Sequence, residues 1–327
     1  AIHMAHLPAR PRLGLAVEMD RRAGFARDVR HPQDVVADQV LHHHVGMARA
    51  VAQGPAGDRP DVLFELVHGA AVLRPVPGVV NPRRDLVDEE VVVFDKGGRP
   101  GGRLASRQTA GGEYDHGAQY FTVLDPRFET RVASWCEDGL VAEWRGRLVH
   151  ADGDRRTPVS EKTRRFVGVP GMNSIAAHLA ANLDVRSRMQ VRSVTRRDGH
   201  WFLKIGTREE GPFDFLVLAV PAPQAAPLLQ ALPELKKQAE SARMNPCWAV
   251  LVSFPSTIDT DFDGAFVDVG PLSWAARNSS KPQRQAESWV LHASHDWSSE
   301  HLEDAPQLVI DALLGAFSDL AQCALPR

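Results

Sequence analysis

The pattern of hydrophobic and polar positions changes near Glu89. Before it, Pro, Arg, His, Asp and Val recur without a sustained period, and the apolar run at 61–67 is not framed by regular turn residues. After it, short β-branched and aromatic runs alternate with segments whose apolar residues recur every three to four positions, a pattern typical of mixed strands and helices. This part of the chain therefore predicts two domains that combine α/β and α+β structure.

The individual elements follow from the same pattern. Residues 91–94 and 213–220 are nearly continuous apolar runs, of the kind that forms strands buried on both faces of a parallel sheet. Further strands are predicted over residues 141–144, 147–150, 191–195, 201–205, 248–254, 265–269, 273–277 and 288–293. Helices are predicted over residues 126–138, 173–182, 224–232, 235–242 and 308–320. The last helix has an apolar side made of Leu308, Ala312, Gly315 and Ala316.

Composition places the chain among soluble globular proteins, with 43% hydrophobic and 24% charged residues. The net charge of -3 provides no basic surface for nucleic acid or an acidic membrane. No stretch approaches the roughly 20 apolar residues of a membrane helix, and the N-terminus lacks the apolar core of a signal peptide. Cys136, Cys247 and Cys323 are far apart, which predicts no disulfide framework and favours a reducing cytoplasm.

Two groups of side chains resemble metal ligands only superficially. The consecutive residues His42–His44 point in different directions on a helix or strand, so they rarely share one ion. The segment Asp259–Gly264 carries three alternating aspartates, as part of a calcium loop does. The position that needs a bidentate glutamate is Gly270. No metal site is predicted.

The candidate chemistry begins where the first apolar strand ends. Asp95 follows that strand directly, and the loop at 96–103 is rich in glycine and arginine. A carboxylate at the end of the second strand of a dinucleotide-binding fold can accept hydrogen bonds from the adenosine ribose. Glycines allow the backbone to approach a pyrophosphate, and arginine neutralises its charge. An ordinary glycine-rich surface loop remains the alternative from the residues alone.

The run VVVFDKGGRPGGRLASR resembles the second-strand and paired-glycine motif of FAD-dependent amine-oxidase-like flavoproteins. More narrowly, it is similar to the renalase-like branch of NAD(P)/FAD-dependent oxidoreductases. Later segments resemble the same family in the same order: YDHGAQYFT, RFVGVPGMNSIAAHLA, FDFLVLAVPAPQAAPLL, PCWAVLVSF, WAARNSSKP and ESWVLHAS. Several separated motifs in order are far more specific than one glycine pattern.

The resemblance implies an incomplete FAD/NAD(P)-binding Rossmann-like domain interleaved with an α+β substrate domain built on a mixed sheet. It assigns residues 89–122 and 165–222 to the FAD-binding domain, and residues 123–164 and 223–327 to the substrate domain. Residues 1–88 are an atypical segment that the family does not account for.

FAD is the cofactor that the resemblance implies. Asp95, with the neighbouring Lys96, would bind the ribose, and Gly101, Gly102 and Arg103 would bind the pyrophosphate. Gly117, Ala118 and Gln119 would lie near the flavin, and the backbone of Val191 would hold the adenine. Ala219 and Pro221 would lie where a strand closes over the cofactor. Simpler alternatives exist for three of them: Gly117 as a turn glycine, Val191 as core and Pro221 as a strand terminator.

The implied reaction is hydride transfer from a reduced nicotinamide-type or amine substrate to the flavin, followed by electron transfer to oxygen and release of hydrogen peroxide. A planar, anionic nicotinamide dinucleotide is one candidate small-molecule substrate that the resemblance implies. Candidate substrate or catalytic side chains on strands of the second domain are Trp248, Trp274, Trp289 and His292. Core packing is the alternative for each tryptophan, and His292 could be a core polar group, an acid–base group or a surface residue.

Two parts of the family pattern are missing. A GxGxxG turn is expected about 20–30 residues before Asp95, but Pro75 and Pro77 disfavour the helix that should follow such a turn. The sequence also ends at Arg327, before the usual last strand and helix. We therefore expect residues 1–88 to reflect another reading frame, a mis-called start or a fusion, with natural divergence as the alternative. Translating the upstream DNA in six frames tests this.

The alternative to an oxidase is a truncated or divergent fragment without cofactor or catalysis, acting at most as a binding module.

Overall fold

The computed structural model describes residues 15–17, 37–39, 69–74, 90–109 and 112–326. The sequence-based interpretations of residues 42–44 and 61–67 lie outside the described residues, as does most of the region searched for a glycine-rich turn. None of the described helices is long and apolar enough to cross a bilayer.

Runs of several strands are interrupted by single helices or helix pairs along the described ranges. The strands are β1 (Leu15–Val17), β2 (Ala37–Gln39), β3 (Gly69–Arg74), β4 (Glu90–Phe94), β5 (Arg107–Thr109), β6 (Gly112–Tyr114), β7 (Val141–Glu143), β8 (Leu148–Asp152), β9 (Arg155–Pro158), β10 (Phe166–Gly168), β11 (Asp184–Arg186), β12 (Val191–Arg197), β13 (His200–Ile205), β14 (Arg208–Phe213), β15 (Phe215–Ala219), β16 (Trp248–Ser253), β17 (Gly264–Val267), β18 (Leu272–Arg277) and β19 (Ser288–Ala293). The helices are α1 (Pro126–Glu137), α2 (Asn173–Ala180), α3 (Ala222–Ala225), α4 (Pro233–Ser241), α5 (His295–Glu300) and α6 (Pro306–Ala321).

The chain divides into two compact units whose segments alternate along the sequence. The large-sheet unit comprises Ala1–Leu41, Ser106–Gly171 and Pro246–Arg327. The small-sheet unit comprises His42–Ala105 and Met172–Asn245. The mixed α/β class with interleaved parts is therefore confirmed.

The unit boundaries fall elsewhere than the predicted boundaries at 122, 164 and 222. Tyr114 packs against Leu251 and Val290, and β10 pairs with β7, so both segments belong to the large-sheet unit. Leu228 packs against the cluster that contains Val92, which adds the region after β15 to the small-sheet unit. The boundaries observed from contacts are at 105, 171 and 245. Which unit serves cofactor or substrate stays a prediction.

The large-sheet unit is built on an eight-stranded mixed sheet. Its order is β1-β16-β19-β18-β17-β8-β9, and β2 also pairs with β16. All pairs are antiparallel except β17 with β8. Because successive side chains of a strand alternate between the two faces, each central strand supplies two different surfaces. One face packs on α6, and the other carries Leu251 and Val290 against Tyr114.

The small-sheet unit contains a four-stranded sheet of order β11-β4-β3-β15. The parallel pairing predicted for residues 91–94 is confirmed between β4 and β11. It is wrong on the other side, because β3 runs antiparallel to β4 and to β15. A three-stranded antiparallel sheet of β12, β13 and β14 packs its apolar residues against Phe94.

Two predicted elements are divided in the structure. The apolar run at 213–220, predicted as one strand, is divided: β14 ends at Phe213 and β15 begins at Phe215. β15 lies half-exposed at the edge of the described sheet. The helix predicted over 224–232 is reduced to α3 and a 3-10 turn at Ala226–Leu228. Pro227 lies in this turn, where its ring and missing N–H prevent continuation of an α-helix.

Helix α6 confirms a predicted helix but corrects its apolar face. Leu308 is 59% exposed and Gly315 is exposed. The buried side chains are Val309, Ile310, Leu313, Phe317, Leu320 and Ala321, which pack against the sheet core. Phe317 lies 4.7 Å from Trp289 between ring centroids. The face is set by what the sheet presents, and several apolar spacings along this helix satisfied the periodicity equally well.

This correction gives a matched test within one helix. Leu313→Ala leaves a cavity in the core and should lower the free energy of unfolding by about 2–5 kcal/mol. Leu308→Ala removes the same atoms from an exposed position and should change it by less than about 0.5 kcal/mol. Urea denaturation of both variants measures the difference. Equal losses would contradict the observed orientation of α6.

Candidate functional site

The carboxyl ends of three strands in the small-sheet unit meet at one edge. β11 is parallel to β4, and β4 and β15 are both antiparallel to β3. Consequently β11, β4 and β15 end at the same side, at Arg186, Phe94 and Ala219. Ligands of open α/β sheets bind at such an edge.

Asp95 lies at this edge, and only one of its two carboxylate oxygens accepts a hydrogen bond from the described residues. Its Oδ1 accepts a hydrogen bond of 2.8 Å from the backbone N–H of Gly97. Its Oδ2 is buried and has no hydrogen-bond partner within the described residues. Burial raises the pKa of Asp95, opposed by the Gly97 hydrogen bond and the charge of the exposed Lys96. The free oxygen can therefore accept a hydroxyl from a ligand.

Backbone hydrogen bonds hold Asp95 in place. Its N–H donates to Arg186 O at 3.0 Å, and its carbonyl accepts from Met189 N–H at 2.8 Å. Arg188 N–H donates to Gly97 O at 2.8 Å, so the loop after β4 is fixed against the loop after β11.

The turn that follows requires glycine. Gly101 has a φ of 135° and Gly102 one of 48°, values that side chains disfavour. A Cβ on Gly101 would lie 3.6 Å from Asn173, the first residue of α2, so the helix N-terminus packs against this turn. Burial lowers the pKa of Arg103, whose guanidinium makes no ion pair in the described part of the chain. An arginine in this state is suited to an anionic group.

Three other predicted cofactor residues lie in the same unit. Ala219 is the last residue of β15, and Pro221 is the N-cap residue of α3, its carbonyl accepting from Gln224 N–H at 2.8 Å. Val191 is the first residue of β12, and its side chain packs against the cluster of Val92 and Phe94. The core alternative thus describes the Val191 side chain.

In the large-sheet unit, the segment 114–119 covers the sheet face opposite α6. Gly117 is buried and Ala118 is half-buried. His292 is fully buried on β19, and its Nε2 donates to His116 O at 3.0 Å. His292 therefore fixes the backbone of this segment.

Asp115 is the centre of a buried charge network. Its carboxylate is 1% exposed, and Oδ2 lies 2.6 Å from Arg284 Nη2 and 3.3 Å from Lys281 Nζ. Oδ1 accepts from Ser106 Oγ at 2.8 Å. Lys281 is fully buried, and desolvation lowers its pKa to about 8, with repulsion from Arg284 adding to the effect and Asp115 opposing it.

Gln119 connects this network to the backbone around Gly117. Its Oε1 accepts from Lys281 Nζ at 3.0 Å. Its Nε2 donates to the carbonyls of Asp115 and, at 3.4 Å, of Gly117. The ammonium accordingly determines which end of the Gln119 amide faces which group.

An aromatic cluster lies beside the network. The ring of Tyr120 is 5.9 Å from both Trp144 and Trp274, measured between centroids. Trp274 Nε1 is buried without a hydrogen-bond partner among the described residues. A Cβ on Gly264 would lie 3.0 Å from Trp274, so the strand beside the cluster needs glycine for space. Of the predicted aromatic candidates, Trp274 has a ring and a free donor in this region.

The other tryptophan candidates belong to the core. Trp248 is fully buried, packs in the α6 cluster and donates from Nε1 to His301 O at 3.0 Å. Trp289 packs in the same cluster and donates to Glu287 at 2.9 Å. Core packing, the alternative interpretation, describes both, and we do not retain Trp248 as a catalytic candidate.

Sequence reasoning missed the charged members of the network. Asp115 and Lys281 are separated by 166 positions, and Asp115 and Arg284 by 169, so no local spacing connects them. The available signal was an aspartate, Asp115, among the aromatic and small residues of YDHGAQYFT, whereas Lys281 lies in a polar stretch of WAARNSSKP and gave no signal. Elsewhere in the described chain, no group of three His, Cys, Asp or Glu side chains could hold a metal.

Comparison with known proteins adds family information to this geometry. A model of the flavin containing amine oxidoreductases matches residues 125–300, more than half of the chain, and a model of the NAD(P)-binding Rossmann-like domain matches residues 83–152.

Solved structures with the same fold have low sequence identity. A candidate protoporphyrinogen oxidase from Exiguobacterium sp. 255-15 gives a TM-score of 0.56 at 12% identity, over 72% of this chain and 78% of that one. Cyclohexylamine oxidase from Brevibacterium oxydans IH-35A gives 0.55 at 10%, over 72% and 77%. A fatty acid isomerase from P. acnes that produces CLA gives 0.52 at 12%, over 72% and 77%.

The buried ammonium predicts a pH dependence of stability. An unfolded lysine has a pKa near 10.5, above the value of about 8 for Lys281 in the fold. Between these values the unfolded chain binds a proton that the folded chain does not, so stability rises with pH. The free energy of unfolding should increase by about 1–3 kcal/mol from pH 8 to 10.5, relative to Lys281→Met.

Urea denaturation across this pH range measures the effect. The half-buried Lys236, which pairs with Glu240 on α4, provides the control. Lys236→Met should keep the wild-type pH profile. A constant difference between wild type and Lys281→Met would contradict a lowered pKa for Lys281.

Proposed function

The chain belongs to the flavin containing amine oxidoreductases, and from this premise we propose that it is an FAD-dependent oxidase of a small molecule. The observation that carries the proposal is the Oδ2 of Asp95 at the carboxyl edge of β4, which is buried and has no hydrogen-bond partner among the described residues. A ribose hydroxyl is the donor that such a carboxylate accepts in dinucleotide-binding sheets.

The residues at this edge fit the adenosine diphosphate part of FAD. Asp95 would accept the ribose hydroxyl, while Gly101 and Gly102 leave the backbone accessible to the pyrophosphate. Arg103 carries a positive charge without an ion-pair partner in the described chain, and it would neutralise a phosphate. The nearby N-terminus of α2 adds a favourable dipole for an anion.

The segment 117–119 would contact the flavin ring, as the family resemblance implies. Gly117 presents backbone without a side chain, and Gln119 fixes its carbonyl. When bound, the flavin would supply hydride acceptance and reoxidation by oxygen with release of hydrogen peroxide. The protein's part is to hold this segment through His292 and the Asp115 network.

For the substrate, we propose a reduced nicotinamide-type compound or an amine. Tyr120, Trp144 and Trp274 form an aromatic cluster that can pack a flat ring. The Nε1 of Trp274, which has no acceptor within the described ranges, would donate to a carbonyl of the substrate. A nicotinamide carboxamide offers such an acceptor, whereas a simple alkylamine does not, so this detail favours the nicotinamide type.

A binding module without cofactor is the second candidate. The strand next to β4 in the described sheet, β3, runs antiparallel to it. The carboxyl end of β3 therefore lies at the opposite edge from Asp95, whereas in a Rossmann fold the strand that leads into the pyrophosphate-binding turn ends at the same edge. Purified protein that stays colourless after addition of FAD would favour this candidate.

The FAD proposal predicts a specific loss of affinity. Asp95→Asn retains the acceptor for Gly97 but removes the charge and half of the acceptor capacity. The Kd for FAD should rise about tenfold, equivalent to about 1.4 kcal/mol. Glu234→Gln, the same change at an exposed position on α4, should leave the Kd unchanged.

Flavin absorbance and fluorescence titrations provide the measurement. Oxygen uptake and peroxide formation with reduced nicotinamide isomers, compared with primary amines, then identify the substrate class. If neither class supports oxygen uptake by the flavin-loaded protein, the oxidase assignment fails.

A further inference from the structure

The Asp115 network contains one carboxylate and two cations. Lys281 and Arg284 both pair with Asp115, and neither has another ion-pair partner in the part of the chain that the structure describes. Arg284 alone neutralises Asp115, at the shorter distance of 2.6 Å. The ammonium of Lys281 is therefore a positive charge in excess. A buried charge in excess is costly, and water screens it little.

We propose that Lys281 is a positioning residue for the flavin, acting through Gln119 to stabilise the negative charge that the ring gains on accepting a hydride. The inference rests on the proposed function, which assigns the segment 117–119 to the ring. In the hydride step the donor's C–H bond breaks, and its two electrons and proton pass to the flavin. The donor is left one unit more positive and the ring one unit more negative.

The hydrogen bonds give Lys281 a direct route to this segment. Its Nζ donates to Gln119 Oε1, which leaves Nε2 to donate to the carbonyls of Asp115 and Gly117. The same amide thus contacts the ammonium at one end and the backbone of the segment at the other. Without the ammonium, Gln119 loses the donor that fixes its orientation.

The surroundings preserve the charge. The groups facing Nζ are the carboxylate of Asp115, the guanidinium of Arg284, the amide of Gln119 and the ring of Trp144, whose centroid is 5.7 Å away. These groups come from three segments of the large-sheet unit: residues 114–119, the residue after β7 and the loop after β18. The aromatic ring contributes favourably to a cation beside its face. The pKa of about 8 keeps most of the ammonium protonated at neutral pH.

The test compares the two-electron reduction potential of bound FAD in wild type and Lys281→Met, which removes the charge at similar volume. Without the ammonium, reduced flavin should bind about tenfold more weakly relative to oxidised flavin, which lowers the potential by about 30 mV. Lys236→Met is the matched control and should keep the wild-type potential. Flavin absorbance in a reference-dye titration gives the values.

A pH series on wild type separates charge from structure without a variant. The potential should show an additional decrease as pH rises through about 8, where Lys281 loses its proton. Lys281→Met should not show this decrease. Because a purely structural network would alter stability and leave the potential alone, the series also distinguishes the two roles.

The outcomes distinguish failure of the Lys281 proposal from failure of the oxidase proposal. Equal potentials and equal pH profiles in flavin-loaded wild type and Lys281→Met overturn the role of Lys281 and leave the oxidase proposal intact. If Lys281→Met does not fold, a wild-type potential without the decrease near pH 8 overturns it in the same way. If wild type takes up no FAD, both proposals fail.

Discussion

The large-sheet unit contains a buried carboxylate, Asp115, that pairs with both Arg284 and Lys281. It joins the segment after β6 to the loop after β18 across more than 160 positions of sequence. Because all three side chains are withdrawn from water, removal of Asp115 would leave two buried cations without a compensating charge, and breaking a buried pair costs about 3–5 kcal/mol. Gln119 takes its position from this network through its hydrogen bond with Lys281.

Strand direction imposes the second constraint, on the small-sheet unit. Asp95, Arg186 and Ala219 reach one edge only because β11, β4 and β15 run the same way. The antiparallel β3 between β4 and β15 keeps the sheet continuous without bringing the end of its own strand to that edge. The unbroken hydrogen bonding of the sheet and the placement of strand ends at one edge are thus separate requirements. In the described sheet, β3 provides the hydrogen bonding between β4 and β15.

Local sequence predicted what local physics determines. The strand at 91–94 and Asp95 after it follow from an apolar run that ends in a carboxylate, and the structure has β4 at Glu90–Phe94 with Asp95 held by its own loop. The buried face of α6 could not be predicted from the spacing of its apolar residues. Leu308 and Leu313 are equally apolar, and only packing against the sheet distinguishes them. Lys281 was missed for a related reason, since its partners come from distant segments and a lysine in a polar stretch suggests solvent.

Gly264 makes the aromatic cluster sensitive to a single methyl group. A Cβ there would come 2.5 Å from Leu148 Cδ2, 3.0 Å from Trp274 and 3.2 Å from Trp144. The backbone of β17 at Gly264 consequently limits the volume available to the rings around Tyr120. A change in the space around this cluster has to come from the ring-bearing positions, since the strand at 264 has no room to contribute a side chain.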